Sequence, residues 1–410
     1  MTKKEKPYAV AVLGGGAAGM AAALSAARDS HGTDGGEAGP AGALAGKEVL
    51  CLERNEEPGR KLLATGNGRC NFTNTACAEA GEVLHFFRGL GLLTRRDAEG
   101  RFYPYAGQAA VVRDALREEL SRRGVALRCN APVKALRRVA PEASAGEAPA
   151  LPRAYFEMET ADGALFRAER LVIATGGKAG PQYGCRGDGY AFARHFGHTV
   201  ASPFPALVRM VCAEEERHRL QAIQGVRVKC AATLRIGDAP AGQSFGELLF
   251  TEKGLSGICI LDLSRQMRLR GRRACLITLD LAPAIEERTL RELFAERRAA
   301  FLTGVLPAKL ADLVFAEAKG DARAAARLIK GMEFSVTGTD GWRDAQVTSG
   351  GVSLGEVDAD TMESKLVRGL FFAGEVLDYD GVCGGFNLNW AFRTGMRAGR
   401  AAARAARPDA

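Results

Sequence analysis

Tyr8-Ala9-Val10-Ala11-Val12-Leu13, Gly14-Gly15-Gly16-Ala17-Ala18-Gly19 and Met20-Ala21-Ala22-Ala23-Leu24-Ser25-Ala26-Ala27 follow one another near the N-terminus, and their order decides the fold. A β-prone apolar run meets three glycines spaced G-x-G-x-x-G, and an Ala-rich helical run follows, which is the dinucleotide fingerprint in its strand-turn-helix context. Gly14 permits the tight turn, Gly16 lets a pyrophosphate approach the backbone, and Gly19 leaves the helix close to the sheet. The first helical N–H groups then face the phosphates together with the positive end of the helix dipole.

Working outward, 410 residues suffice for a large core and more than one domain. Apolar and charged contents of 47% and 25% place the chain among ordinary globular proteins. No apolar run reaches transmembrane length and residues 1–7 carry no signal-like apolar stretch, so a cytoplasmic protein without a membrane span is expected. Ten cysteines without a C-x-x-C pair suggest reduced thiols, with neither a disulfide framework nor a metal site. The net charge of +8 could serve nucleic acid or an anionic ligand. Much of it lies on helix-like segments (Arg117, Arg122, Arg123; Arg291, Arg297, Arg298; Arg397, Arg400, Arg404), where solvated faces explain it, so no nucleic-acid partner is expected.

Along the chain, residues 28–47 read as a Gly/Ala-rich loop enlarging the first βαβ unit, and Glu48–Glu53 as its second strand. The terminal Glu53 stands where a carboxylate would accept the adenosine ribose hydroxyls and disfavour a 2′-phosphate. Gly59–Asn74 alternates glycine with Arg, Lys and Asn, too polar for a core strand and too glycine-rich for a helix; its donors suit phosphates or a polar ring edge. A helix is expected over 108–123 and strands over 125–129, 131–136, 155–160, 164–168 and 171–174, with a hairpin tip at 140–152. The strand 171–174 runs into the turn Thr175-Gly176-Gly177, beneath the nucleotide.

Alternating segments at 206–212, 225–231 and 274–279, followed by Ala/Leu/Arg/Glu-rich helical stretches, predict an inserted domain. The expected division is 1–199 and 346–410 for the nucleotide-binding domain and 200–345 for the insertion, with a β part to about 282 and a helical part over about 283–333. The last segment holds a buried strand ending at Gly374-Glu375, a glycine turn, and a helix from about 389 to 404. Its small face at Ala391, Gly395, Ala398 and Ala402 suits close packing on Gly19, Ala22, Ala23 and Ala26. The helix start at Gly385–Leu388 is an anion site suited to the electron-rich edge of a reduced flavin.

These residues resemble the HI0933-like family of NAD(P)/FAD-dependent oxidoreductases over nearly the whole chain. The matching stretches are Gly14–Gly19, GRKLLATGNGRCNFTN at 59–74, Ala174–Gly177, Leu248–Thr251 with Gly254–Gly257, Thr348–Val352, and Phe372–Glu375 with Gly381–Gly395. The resemblance implies an α/β, glutathione-reductase-type (Rossmann-like) FAD-binding domain interrupted by a β-barrel-like plus helical domain, with the flavin ring between them. It implies that Gly14, Gly16, Ala17, Ala18 and Gly19 hold the pyrophosphate, Glu53 and Arg54 the ribose end, and Val133 the adenine through its backbone. It assigns the flavin surroundings to Arg60, Lys61, Leu62, Gly66, Asn67, Gly68, Arg69, Cys70 and Asn71, with Thr175, Gly176, Gly177, Gly374, Glu375, Asp378, Gly385, Phe386, Asn387 and Leu388 nearby. Two departures stand out: the long 28–47 loop, and Ile258 where many relatives carry proline.

The implied reaction is hydride delivery from reduced flavin to an activated carbon–carbon double bond, such as an enone in a steroid-like or bile-acid-like substrate, with NAD(P)H visiting as a transient reductant. An enone needs a donor at its carbonyl and a proton source at the adjacent carbon, and Tyr183, Tyr379, Asp378 and Asp380 are candidates. Alternatives are a flavin-dependent amine oxidase and, from another class, an RNA-associated flavin-binding protein.

Overall fold

The computed structural model describes residues 7–27, 44–45, 48–140, 154–271, 273–297 and 302–406. The loop expected over 28–47 and the hairpin tip expected over 140–152 fall almost wholly outside them. The chain divides into two compact units, one comprising Met1–Pro203 with Gly350–Ala410 and the other Phe204–Ser349.

The first unit opens with strand β1 (Tyr8–Leu13), helix α1 (Ala17–Ala26) and strand β2 (Val49–Leu52). A small antiparallel sheet of β3 (Thr73–Asn74), β4 (Thr94–Arg96) and β5 (Arg101–Pro104) follows, with helices α2 (Ala80–Gly89) and α3 (Ala109–Arg122) around it. Strands β6 (Ala126–Arg128), β7 (Val133–Val139), β8 (Tyr155–Thr160) and β9 (Leu165–Ile173) and helix α4 (Asp188–His195) complete this part. The main sheet runs β6-β2-β1-β9-β8-β7; β6, β2, β1 and β9 are mutually parallel, and β8 pairs antiparallel with both β9 and β7.

In place of the separate strands expected at 164–168 and 171–174, β9 is one nine-residue strand. Its first half pairs antiparallel with β8 (Phe156 opposite Ala168) and its second half parallel with β1 (Leu13 opposite Ile173). The intervening Glu169-Arg170 is polar, but no Gly or Pro interrupts the run and Arg170 donates to the Ala405 carbonyl at 2.5 Å.

The second unit is a closed barrel with helices. Strand β10 (Phe204–Ala206) is separated from β11 (Met210–Cys212) by Leu207, whose φ of +50° breaks the run. Helix α5 (Arg217–Ala222), strands β12 (Arg227–Ile236), β13 (Ala239–Thr251) and β14 (Gly254–Ser256), and helix α6 (Ile258–Ser264) come next. Then follow β15 (Cys275–Asp280), helices α7 (Glu287–Arg297), α8 (Ala308–Ala318) and α9 (Ala322–Lys330), β16 (Met332–Thr339) and β17 (Val347–Ser349). The barrel closes in the order β11-β14-β13-β12-β15-β16. Its inward residues Cys230, Ala232, Leu234, Leu248, Phe250, Ile277, Leu279, Phe334 and Val336 form one buried cluster. Strand β13 carries a weak signal because glycine interrupts its alternation, and Gly246 is required where a Cβ would meet the Ile258 side chain at 2.4 Å.

The chain then returns to the first unit, adding β18 (Leu370–Phe372) parallel to β9 and a 21-residue helix α10 (Phe386–Ala406). Helix α10 lies on α1 at backbone contact. A Cβ on Gly395 would come within 2.3 Å of the Ala18 carbonyl, and one on Gly399 within 2.1 Å of the Ala22 carbonyl. Each glycine costs the helix about 1 kcal/mol of propensity, which this close approach offsets by burying Ala398, Ala402 and Ala403 against the Ala-rich α1.

Candidate functional site

Where β1 ends, the chain turns beneath the end of β9. Gly14 holds φ at +103°, and a Cβ there would strike the Ala174 carbonyl at 2.5 Å. A Cβ on Gly19 would lie 1.7 Å from the Gly14 carbonyl, so α1 starts directly on the turn. Gly16 behaves differently, because nothing lies within 4 Å of the position its Cβ would take. It is the N-cap of α1, with no capping side chain and no acidic residue in the first turn, so the N–H groups of Ala17 and Ala18 open into the cleft beside it.

That cleft encloses about 1060 Å³ with its mouth included. One wall carries Glu53, only 6% exposed. Its Oε2 accepts the Gly15 N–H at 2.7 Å, and its Oε1 accepts the Asn55 N–H at 2.8 Å and the Asn55 Nδ2 at 2.7 Å. Oε1 is thereby saturated, while Oε2 keeps a lone pair for a further donor. Ala131, Pro132 and Val133 line the same end, as does Arg54, ion-paired to Asp188. Arg60 reaches the Asn55 Oδ1 and the Gln182 carbonyl, both at 3.4 Å.

Across the cleft, Lys61 Nζ meets Glu375 Oε2 at 2.7 Å, each side chain about a quarter exposed. Burial pulls the Lys61 ammonium down, but the Glu375 charge and hydrogen bond prevail and hold it above its ordinary range, so it stays a cation. Thr175 also lines the cleft; its buried Oγ1 has no hydrogen-bond partner and stands 2.3 Å from where a Gly189 Cβ would be. Open space at Gly16, uncapped N–H groups, a carboxylate with one free lone pair and an orphaned hydroxyl together fit the diphosphate and ribose of FAD.

Of the sequence-predicted residues, Gly14, Gly16, Ala17, Ala18, Glu53, Arg54, Arg60, Lys61, Leu62, Val133, Thr175, Gly176, Tyr183 and Glu375 meet on this cleft. Gly19 lies behind the turn, and Gly177 and Gly374 are buried outside the wall. The loop Gly66–Asn71 also lies outside it, built on left-handed residues at Gly66, Asn67, Gly68 and Cys70, with Arg69 over the Tyr103 ring at 5.0 Å. Cys70 is fully buried, and burial pushes its thiol up to about 11.

Gly385, Phe386, Asn387 and Leu388 open α10 in the first unit. Asn387 accepts the Gly381 N–H at 2.8 Å and donates to the Gly381 carbonyl at 2.9 Å, sealing its own turn. Asn389 is tied to the Thr73 hydroxyl and the Ala78 carbonyl. Of the proton-donor candidates, Tyr183 is on the cleft wall, whereas Tyr379 stacks on Trp390 at 4.2 Å and Asp378 and Asp380 flank it, half-buried.

Sequence reasoning missed Asn55, which orients Glu53, and Asp188, which pairs with Arg54. It also missed Cys185 and Phe192 on the same wall. A polar residue two positions beyond the strand-end carboxylate could have flagged Asn55. The Asp188 partnership, 134 residues from Arg54, left no local signal.

A family profile described as the HI0933-like protein Rossmann domain matches residues 79–401. The chain is 34% identical to a 3-dehydro-bile acid delta(4,6)-reductase of Clostridium scindens, over 96% of this chain and 98% of that protein. It is 28% identical to a ribosomal RNA dihydrouridine synthase of Escherichia coli, over 93% and 94%. Among solved structures, a 3-ketosteroid-delta4-(5alpha)-dehydrogenase of Rhodococcus jostii aligns over 98% of each chain at 16% identity and a TM-score of 0.49.

Proposed function

The chain belongs to the HI0933-like family and is a Rossmann-type FAD flavoprotein oxidoreductase; from that premise we propose that it reduces a carbon–carbon double bond conjugated to a carbonyl, in a steroid-like or bile-acid-like substrate, with NAD(P)H as reductant. The observation that carries this reading is the whole-length likeness to the Clostridium scindens bile acid reductase.

When bound, FAD supplies hydride transfer. The chain's own residues would bind and orient it: the Ala17 and Ala18 N–H groups would take the diphosphate, Glu53 Oε2 would accept a ribose hydroxyl, and the Val133 backbone would border the adenine. The Lys61–Glu375 pair on the same cleft would offer it one donor and one acceptor. Reduction of a conjugated double bond also requires a proton at the carbon next to the carbonyl. Tyr183, which lines the cleft, is our first candidate to supply it, ahead of Tyr379, Asp378 and Asp380.

A second reading is favoured by the likeness to ribosomal RNA dihydrouridine synthases and by the net charge of +8. The uracil C5=C6 bond is itself conjugated to a carbonyl, so the reaction type is the same and only the acceptor differs. The test is anaerobic reduction of the purified protein by NADH and by NADPH, followed by mixing with a bile-acid enone or with unmodified ribosomal RNA. Reoxidation by the enone supports the first reading, and reoxidation by RNA alone selects the second. Reoxidation by neither, with oxygen consumed on small amines, overturns both in favour of an amine oxidase.

A further inference from the structure

The basic residues differ in what holds their charge. Several on helices have acidic partners: Arg122 and Arg123 share Glu119 at 2.6 Å, Arg117 reaches Glu57, Arg397 meets Glu79, and Arg400 meets Glu82. Their charge is largely cancelled where it stands. In the turn that joins α6 to β15, Arg270 and Arg273 are held by main-chain carbonyls instead. The turn reads Arg265-Gln266-Met267-Arg268-Leu269-Arg270-Gly271-Arg272-Arg273, five arginines in nine residues with no acid among them.

Within this turn, the Arg270 guanidinium donates to the main-chain carbonyls of Arg273 and Thr337, and Arg273 donates to those of Arg270 and Leu269. The two like charges are thus fastened side by side through each other's backbone. Arg235 of β12 donates to the Asp238 carbonyl at 3.0 Å, and the Gly237 turn between them adjoins the Arg273 stem at 3.7 Å from its would-be Cβ. Among the described residues, no carboxylate lies within ion-pair distance of Arg235, Arg270 or Arg273. A carbonyl dipole fixes a guanidinium in place but does not neutralise it. The result is a pre-set group of cations at one end of the barrel unit, Arg235 and Arg273 exposed and Arg270 half-buried, where like charges would otherwise splay apart.

We propose that this turn, through Arg235, Arg270 and Arg273, binds the phosphate backbone of a nucleic acid strand. Every cation in it is arginine, whose planar fork matches phosphate oxygens two at a time. Leu269 is its one large exposed apolar residue, at 57% exposure, which is too little apolar surface for seating in a lipid interface. Binding at this turn is independent of which acceptor the flavin reduces, and it is read out without turnover.

The experiment measures fluorescence anisotropy of a labelled mixed-sequence RNA oligonucleotide with the FAD-loaded full chain, between about 50 and 200 mM NaCl. Each lost phosphate contact on a single strand lowers the slope of log K against log salt by about 0.7, so Arg235→Gln with Arg273→Gln is expected to lower it by about 1.4 and to weaken binding throughout. Arg397→Gln with Arg400→Gln removes the same net charge from carboxylate-paired sites and is expected to leave the slope unchanged. Arg235→Gln alone, on an exposed side chain with one backbone partner, gives about half the effect and keeps the test open if the double variant folds poorly. Equal loss in the two double variants overturns the proposal, as does unaltered binding in the first or no RNA binding by the parent protein. Arginine-dependent sedimentation with phosphatidylserine vesicles, without RNA binding, would assign the turn to a membrane surface and also overturn it.

Discussion

Gly16→Ala separates cofactor binding from folding. The native φ of −81° and ψ of −169° are open to any residue, and nothing lies within 4 Å of the new Cβ. Two small effects oppose each other: alanine is a poorer N-cap than glycine by about 0.5–1 kcal/mol, and it restricts the unfolded chain by about 0.4–1 kcal/mol. The apoprotein should keep its stability to within about 0.5 kcal/mol. The same methyl occupies the space the diphosphate needs beside the N–H groups of Ala17 and Ala18. Losing two charge-assisted bonds at about 1.5 kcal/mol each costs about 3 kcal/mol, about a hundredfold in Kd for FAD. Urea unfolding of the apoprotein reads the first quantity, and titration of FAD fluorescence quenching reads the second. Gly19→Ala, whose Cβ would sit 1.7 Å from the Gly14 carbonyl, should lose both fold and cofactor. A folded Gly16→Ala protein with unchanged FAD affinity would refute this placement of the diphosphate, and so would one that unfolds like Gly19→Ala.

Glu53→Gln must turn an amide NH₂ towards either the Gly15 or the Asn55 donors, so one side meets donor with donor; a loss of about 1–3 kcal/mol is expected in urea unfolding, together with a lower FAD content on purification. Gly399→Ala drives a Cβ to 2.1 Å from the Ala22 carbonyl and should cost about 3 kcal/mol by the same unfolding assay; a stability like the parent's would mean that α10 does not lie on α1 at backbone contact.

His198 is buried between Ser364 (2.7 Å) and Glu356 (3.2 Å); burial pulls its imidazole down, against the upward push of Glu356, and it stays neutral in the fold. Its contribution is therefore present above about pH 6.5 and lost as the pH falls below that value towards the folded-state one. Melting midpoints should drop over this window more steeply in the parent than in His198→Asn, and an equal slope in both would exclude His198 as the source. Burial pushes the Cys70 thiol up to about 11, so peptide mass spectrometry after iodoacetamide treatment near neutral pH should find it unmodified in the native protein and modified after denaturation; rapid native labelling would contradict its packing role.

Much of the cleft's lining was legible because its signals are local. Gly14, Gly16 and Gly19 each answer a constraint within a few residues, and Glu53 ends the strand next to them. The small face of α10 was legible for the same reason: glycine and alanine at helical spacing announce a close neighbour, although Gly399 proved to be a contact and was not on the expected list. The loop Gly59–Asn74 announced itself by its glycines, yet only its first half reaches the cleft. Its second half folds over Cys70, where four left-handed residues close a turn on themselves.

From the order of residues alone came the glycine turn before α1, the carboxylate beside it, an inserted β-plus-helical unit and a return to the first sheet. Each follows from periodicity, glycine spacing or strand-end chemistry, which act over a few positions of the chain. Tertiary structure decided the rest: the closure of six strands into a barrel, the Arg54–Asp188 and Lys61–Glu375 pairs, and which arginines keep an uncancelled charge. Those outcomes depend on groups up to 314 residues apart coming within a few ångströms, and pairing at that range leaves no pattern in the neighbouring sequence.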